Sequence, residues 1–307
     1  MTPRVFIDGA VGTTGIEIHD RLVARPDLVV SILDDELRKD TAARRDALNT
    51  ADVVILCLPD EAARDAVALI ENATTRVIDA STAHRTASGW TYGFAEIIGH
   101  QAIRNARFVS NPGCYATGFI ALIAPLVRAG VIPADWALTC NAVSGFSGGG
   151  KTMIAQYEAG APSAHSSYAL GLAHKHVPEM RLRSGLSHAP LFVPAVSNCY
   201  RGMLVDVPLA LAAIPHPPEI SAIHAAYAAV YGQSPIVQVD ATCNAATLTI
   251  ESAANTDRLE LHVFTNPEKT QIRLVAALDN LGKGAAGAAV QNLNIMLGLD
   301  ETTGLHL

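Results

Sequence analysis

Val5-Phe6-Ile7-Asp8-Gly9-Ala10-Val11-Gly12-Thr13-Thr14-Gly15 is the stretch on which the fold turns. Arg4 to Asp8 reads as a short strand. Ile16 to Leu22 then repeats its apolar residues at helical spacing. Three glycines lie between them. Glycine lets the chain turn tightly and lets backbone approach a pyrophosphate, while the start of the helix offers unpaired N–H groups and the positive end of its dipole. The spacing is G-x-x-G-x-x-G, not the commoner G-x-G-x-x-G. The strand–turn–helix setting, more than the letters, makes Gly9, Gly12, Thr13, Thr14 and Gly15 a dinucleotide cradle.

Working outward, Leu28 to Leu33 fits a second strand, Ala51 to Leu58 a third and Arg76 to Asp79 a fourth, with a helix over Glu61 to Glu71. The polar stretch Asp34 to Asp46 is expected to be exposed and partly helical. Ala51 to Leu58 is apolar except for Asp52 and stops at Pro59-Asp60, as a parallel strand buried on both faces would. Alternating strands and helices predict a doubly wound α/β domain with a Rossmann-like parallel sheet.

After residue 112 the texture changes. A helix is expected from about Cys114, with Pro125 kinking or ending it. Strand-like segments follow at Ala137 to Val143, Leu191 to Val196, Arg201 to Val207, Ile236 to Val239, Thr247 to Ser252, Arg258 to Asn266 and Gln271 to Leu278. Several alternate apolar and polar residues, which predicts an α+β domain with a mixed sheet. Gly284 to Leu299 returns to helix. Ala286, Ala289, Val290, Leu293, Met296 and Leu297 share its apolar side, with Gln291, Asn292 and Asn294 facing away at least in part. Its alanines allow close packing. The expected division is a dinucleotide-binding domain over 1–112 and 283–307, and a catalytic and oligomerisation domain over 113–282.

Composition bounds the function. The chain has 307 residues, about two domains' worth. Lys and Arg number 22 against 29 Asp and Glu, giving −7, which argues against a nucleic-acid binder. The apolar runs fall short of the roughly 20 residues that cross a bilayer. Met1-Thr2-Pro3-Arg4 enters a strand-like run without the apolar core of a signal peptide. The five cysteines, Cys57, Cys114, Cys140, Cys199 and Cys243, contain no C-x-x-C pair. A disulfide framework and a structural zinc are not expected, and a reduced cytoplasmic setting is.

Cys114 stands apart. In Ser110-Asn111-Pro112-Gly113-Cys114-Tyr115-Ala116-Thr117-Gly118, Pro112 pushes Asn111 out of helical geometry, Gly113 permits an unusual backbone angle, and the helix begins at the cysteine. A thiol at a helix N-terminus has its thiolate favoured by the dipole and nearby N–H groups, which is how a nucleophile is made. The other four cysteines read as small buried residues.

These stretches, with Asp79-Ala80-Ser81-Thr82-Ala83-His84-Arg85, Val143 to Lys151, Gly171 to Met180 and Asp279 to Ala285, resemble the short form of the N-acetyl-gamma-glutamyl-phosphate reductases along essentially the whole chain. One departure is Ala95, where the pattern would have proline. It costs loop rigidity and removes no chemical group. The resemblance implies NADPH-dependent reduction of an acyl phosphate, N-acetyl-gamma-glutamyl phosphate, to the semialdehyde with release of phosphate, in arginine biosynthesis and without metal. It leaves open a carrier-bound or aminoadipate relative of that substrate, and it implies a homodimer or homotetramer.

The resemblance also places residues. Cys57, Leu58, Pro59, Ser81, Asn280 and Gly282 go to the cofactor, and Asn111, Ser144 and Glu179 to the substrate. At the end of the second strand, Asp34 and Asp35 could hold an NAD ribose, whereas Ser31, Arg38 and Lys39 could hold a 2′-phosphate. NADP is expected, mostly on the resemblance. Proton transfer near neutral pH suits histidine, and His174 and His176 lie in a matched segment, His174 being the first choice. Arg85 follows a strand end where ligands gather, and Lys151 follows three glycines; both are candidate anion ligands. Gly145 to Thr152 matches a P-loop by letter, but the N-terminal turn already supplies a nucleotide site. The alternatives are an aspartate-semialdehyde dehydrogenase and a catalytically silent NADP-binding regulator, which the intact Cys114 and both histidines oppose.

Overall fold

The computed structural model describes residues 2–160, 163–240 and 245–307, so Cys243 lies outside the described residues. The chain divides into two units, Met1–Gly113 with Ala285–Leu305, and Cys114–Gly284 with His306–Leu307.

The first unit runs β1 (Arg4–Asp8), α1 (Thr13–Leu22), β2 (Val29–Ser31), α2 (Thr41–Thr50), β3 (Val53–Leu56), α3 (Asp60–Ala68), β4 (Arg76–Asp79), β5 (Thr91–Tyr92), α4 (Ala95–Ile98), α5 (His100–Asn105) and β6 (Phe108–Ser110). Its six strands stand in the order β2-β1-β3-β4-β6-β5, every pair parallel. Strand periodicity builds a core on each face. Val5, Ile7, Val53 and Ile55 point into one, with Ile18 of α1 and Ala289, Val290 and Leu293 of the C-terminal helix Gly287–Leu297. Phe6, Val54 and Leu56 point into the other, with Leu48 of α2 and Ala63 and Ala66 of α3.

The C-terminal helix departs from expectation on its polar side, since Gln291, Asn292 and Asn294 are all buried. Each amide N–H2 finds an acceptor, whereas Asn292 Oδ1 finds no partner among the described residues. Asn294 accepts from Arg25 and donates to the carbonyls of Glu301 and Thr303, Asn292 donates to Gly93 O, and Gln291 donates to Glu96 and Glu301. A polar face can be buried when nearly all of its groups find partners.

The second unit runs α6 (Cys114–Arg128), β7 (Thr139–Gly145), α7 (Gly150–Glu158), β8 (His165–Ser167), α8 (Val177–Ser184), β9 (Leu191–Ser197), β10 (Met203–Ala210), α9 (Ile220–Tyr231), β11 (Val237–Asp240), β12 (Leu259–Thr265) and β13 (Gln271–Leu278). Its seven-stranded sheet has the order β11-β12-β13-β10-β7-β9-β8. The β7–β9 and β11–β12 pairs are parallel and the rest antiparallel, so the sheet is mixed. Helix α6 is buried along nearly its whole length. It approaches the sheet so closely that a Cβ at Gly118 would lie 2.7 Å from a Val205 methyl on β10.

Two local expectations are corrected. Pro125 does not end α6, which continues to Arg128. Thr247 to Ser252 is not a strand: Thr247 and Leu248 instead line a groove on the sheet with Val143, Val193 and Val275. The alternation marks Leu248 and Ile250 as half-buried, in turn with the exposed Thr247 and Thr249, outside any strand. Among the described residues no helix is long and apolar enough to cross a membrane.

Candidate active site

The glycine turn of the first unit is fixed by close backbone approach. Gly9 has φ +90°, and a Cβ there would collide with Cys57 O at the end of β3. A Cβ at Gly15 would collide with Gly9 O. Gly12 caps α1 without a side-chain hydrogen bond, and no acidic residue stands in the first turn of Thr13 and Thr14. The amino end of α1 thus carries bare backbone and its dipole, the donor set a pyrophosphate needs. Cys57 serves this turn through its backbone, its N–H donating to Asp8 O. Burial, with Asp79 and Asp8 nearby, pushes its thiol up to about 12, which suits a packing role. Leu58 packs against the second core and Pro59 precedes α3.

At the end of β2, Ser31 Oγ lies 3.4 Å from Val5 O. Arg38 pairs with Asp35 at 2.8 Å on the surface, and Lys39 is exposed. Sequence reasoning missed Arg44 of α2, whose guanidinium donates twice to Asp8 Oδ2, at 2.8 and 3.2 Å. A carboxylate buried beside the glycine turn needs such a counter-ion, and that need was the available signal.

At the end of β4, the buried Asp79 carboxylate accepts from Ser81 N and Ser81 Oγ and meets His84 Nδ1 at 2.6 Å. The His84 ring stacks on Trp90. Arg85 is buried and donates to Asn111 O and Ala80 O. The Asn111 amide donates to Ala285 O, and its oxygen accepts from Asn292. Both residues therefore brace the Asn111-Pro112-Gly113 turn from which α6 departs.

In the second unit, Cys114 is the first residue of α6. A Cβ at Gly284 would lie 2.8 Å from Cys114 Cβ, so the thiol-bearing residue fits only against a bare backbone, in a π-helical turn over Gly282–Ala286. Tyr115 is buried, donates to Ala195 O and sets its ring edge-on to His174 and His176. His174 also packs edge-on against Phe192. Its Nδ1 accepts the backbone N–H of His176 at 3.1 Å, and its Nε2 faces Tyr168 Oη at 3.5 Å. Burial and the neighbouring Lys175 lower His174 to about 4, so the ring is neutral at pH 7. Burial, reinforced by Cys114, raises both Tyr115 and Tyr168, the latter to about 12, so both phenols stay protonated. Cys114, Tyr115, Tyr168, His174 and His176 form one cluster, and Tyr168 had no motif to announce it.

The remaining expected residues divide. Ser144 is buried on β7, where it influences Tyr115, and its Oγ lies 3.0 Å from Gly145 O. Glu179 is buried in the first turn of α8, and Lys151 is exposed at the start of α7. Asn280 clamps the second unit internally, donating to Ser147 Oγ and accepting from Gly202 N. A Cβ at Gly282 would collide with Thr256 O. Asp279 beside them was also missed. Its carboxylate accepts the N–H groups of Asn255, Leu281 and Gly282. The P-loop-like letters form a strand end, a 3-10 turn and the start of α7. Among the described residues no group of three His, Cys, Asp or Glu could hold a metal.

Residues 4–106 match the NAD binding domain of semialdehyde dehydrogenase, and residues 114–280 match its dimerisation domain. An N-acetyl-gamma-glutamyl-phosphate reductase from Trichormus variabilis is 48% identical over 319 residues, 99% of each chain. One from Mesorhizobium japonicum is 48% identical over 310 residues, 97% of this chain and 100% of that one. The chain belongs to the semialdehyde dehydrogenase family and, within it, to the N-acetyl-gamma-glutamyl-phosphate reductases. The same fold occurs in a probable aspartate-semialdehyde dehydrogenase from Pseudomonas aeruginosa, at TM-score 0.72 and 15% identity over 97% of this chain and 99% of that one.

Proposed function

We propose that the chain reduces N-acetyl-gamma-glutamyl phosphate to N-acetylglutamate semialdehyde with NADPH and releases phosphate, as a step of arginine biosynthesis. The observation that carries this reading is Cys114 at the amino end of α6 in one cluster with two histidines and two phenols.

An acyl phosphate is already activated, so the protein must supply a nucleophile, a proton carrier and anion ligands. Cys114 gives its proton to a histidine of the pair and attacks the acyl carbon. The S–C bond forms, the C–O bond to phosphate breaks, and phosphate leaves with the electron pair and takes up the proton. NADPH, when bound at the glycine turn, supplies the hydride that reduces the thioester. The thiohemiacetal oxyanion then re-forms the carbonyl, the C–S bond breaks, and Cys114 regains its thiolate. Ser144, Lys151 and Glu179 are the second unit's candidates for holding substrate. Gly9, Gly12, Thr13, Thr14 and Gly15 hold the pyrophosphate, with Ser31, Arg38 and Lys39 nearest in sequence for a 2′-phosphate. Arg85 and Asn111 position the turn before Cys114. The working form is a homodimer or homotetramer in the cytoplasm, built on the dimerisation domain.

The test runs the reaction backwards. N-acetylglutamate semialdehyde should drive NADP reduction only when phosphate or arsenate is present, because one of them must attack the thioester. Equal rates in phosphate-free buffer would make hydrolysis the second step and end the reductase reading. Preference for aspartate semialdehyde would move the chain to the sister activity.

A further inference from the structure

The two histidines beside Cys114 are not equivalent, because backbone geometry fixes the proton on one of them. The N–H of His176 points at His174 Nδ1 from 3.1 Å. A backbone amide can only donate, so Nδ1 must present its lone pair. A neutral ring then carries its proton on Nε2, the atom that faces Tyr168 Oη at 3.5 Å. Taking a second proton would put hydrogen on Nδ1 against that same N–H. Acting as a base through Nε2 would first require the proton to move to Nδ1, with the same clash. His174 is therefore shaped to donate a hydrogen bond and not to shuttle a proton.

We propose that His174 is a neutral hydrogen-bond donor, its Nε2–H serving the oxygen on the acyl carbon as that oxygen becomes negative, and that His176 is the proton carrier of the pair. The assignment rests on the reductase reading above. The oxyanion forms twice, when the thiolate adds to the acyl phosphate and when hydride adds to the thioester. In neither step does a proton leave the His174 ring. The donated hydrogen bond strengthens as charge develops on oxygen, and this is the condition for lowering the barrier. Tyr168 is the resting acceptor of the same N–H. The titratable groups around the ring are Lys175, His176, Tyr115, Tyr168 and, through the two phenols, Cys114. Burial and, after it, Lys175 both act against a charged imidazole, in keeping with the neutral ring that the backbone contact favours.

The experiment compares His174→Gln with His174→Leu in the full-length protein. Gln offers an uncharged N–H donor at every pH, whereas Leu offers none. Expected is a Gln variant within about tenfold of the parent kcat, with the acidic limb of kcat/KM unmoved, and a Leu variant lower by about a hundredfold or more, the usual loss of one oxyanion donor. A Gln variant as inactive as Leu, or one that loses the acidic limb, would overturn the assignment. Independently of activity, ¹⁵N NMR of the labelled His174 ring should report the Nε2–H tautomer at pH 7, and an Nδ1–H tautomer or an imidazolium would overturn it equally. An inactive parent protein with N-acetylglutamate semialdehyde and phosphate would fail the reductase reading instead, and the NMR result would still decide the tautomer.

Discussion

The hydroxyl of Tyr231 donates to Ala121 O at 2.8 Å, the helical carbonyl that Pro125 leaves without its N–H partner. One turn along, Tyr227 donates to Leu122 O. Helix α6 therefore runs through its proline because a tyrosine of α9 replaces the missing donor. Tyr231→Phe should leave a buried carbonyl unanswered and cost about 1–3 kcal/mol in urea denaturation. Combined with Pro125→Ala, which restores the helical N–H, the loss should shrink. A Tyr231→Phe loss that is the same with and without the proline would mean that the hydroxyl does not serve this carbonyl.

Gly284 and Cys114 make the second relationship with a consequence. Gly284→Ala would bring a methyl to 2.8 Å from Cys114 Cβ, so the helix start or the π-turn must move. A displacement on the order of 1 Å at a reacting group can cost about a hundredfold in rate. The expected result is a kcat reduced by ten- to a hundredfold, with an altered rate of iodoacetamide alkylation at Cys114. An unchanged kcat and alkylation rate would show that the contact places no demand on the thiol.

The first unit was readable because its signals are local. Val53–Leu56 is buried on both faces and advertises this as an unbroken apolar run. The glycine turn needs its glycines for reasons set within a few residues and one neighbouring strand. The second unit hides more. Cys114 could be found from the turn before it, but Tyr168 reaches His174 only through the register of β8 on β9, in which Ser167 opposes Ala195 and Tyr168 N donates to Pro194 O. Arg44 meets Asp8 across 36 residues of sequence. Asn294 looked solvent-facing because helical spacing cannot foresee that the carbonyls of Glu301 and Thr303 fold back over it. Asparagine has the same letters whether it clamps backbone, as Asn280 does here, or holds a ligand.

His174 also links stability to pH. In the fold it is lowered to about 4, against about 6.5 in an unfolded chain. Between those values the unfolded state binds more protons, so stability falls as pH drops from about 6.5 to about 4 and levels off below. His174→Gln removes that term. Urea midpoints at pH 7, 5.5 and 4.5 should therefore show the variant gaining on the parent as pH falls. A gap that is constant with pH would mean that the imidazole is not kept neutral by its surroundings.

Cys114→Ser separates chemistry from binding. Serine keeps the size and the helix start but offers a hydroxyl, which is far less nucleophilic than a thiolate at neutral pH. Turnover should fall by several orders of magnitude. The substitution leaves the glycine turn untouched, so NADPH affinity, followed by quenching of its fluorescence or by calorimetry, should be nearly unchanged. The phenols supply an internal control. Tyr168 and Tyr115 are both raised partly by Cys114, so the variant should ionise its tyrosines at slightly lower pH in ultraviolet titration. A serine variant that kept more than a small fraction of parent activity would remove Cys114 from the nucleophile's place, whatever its effect on the phenols.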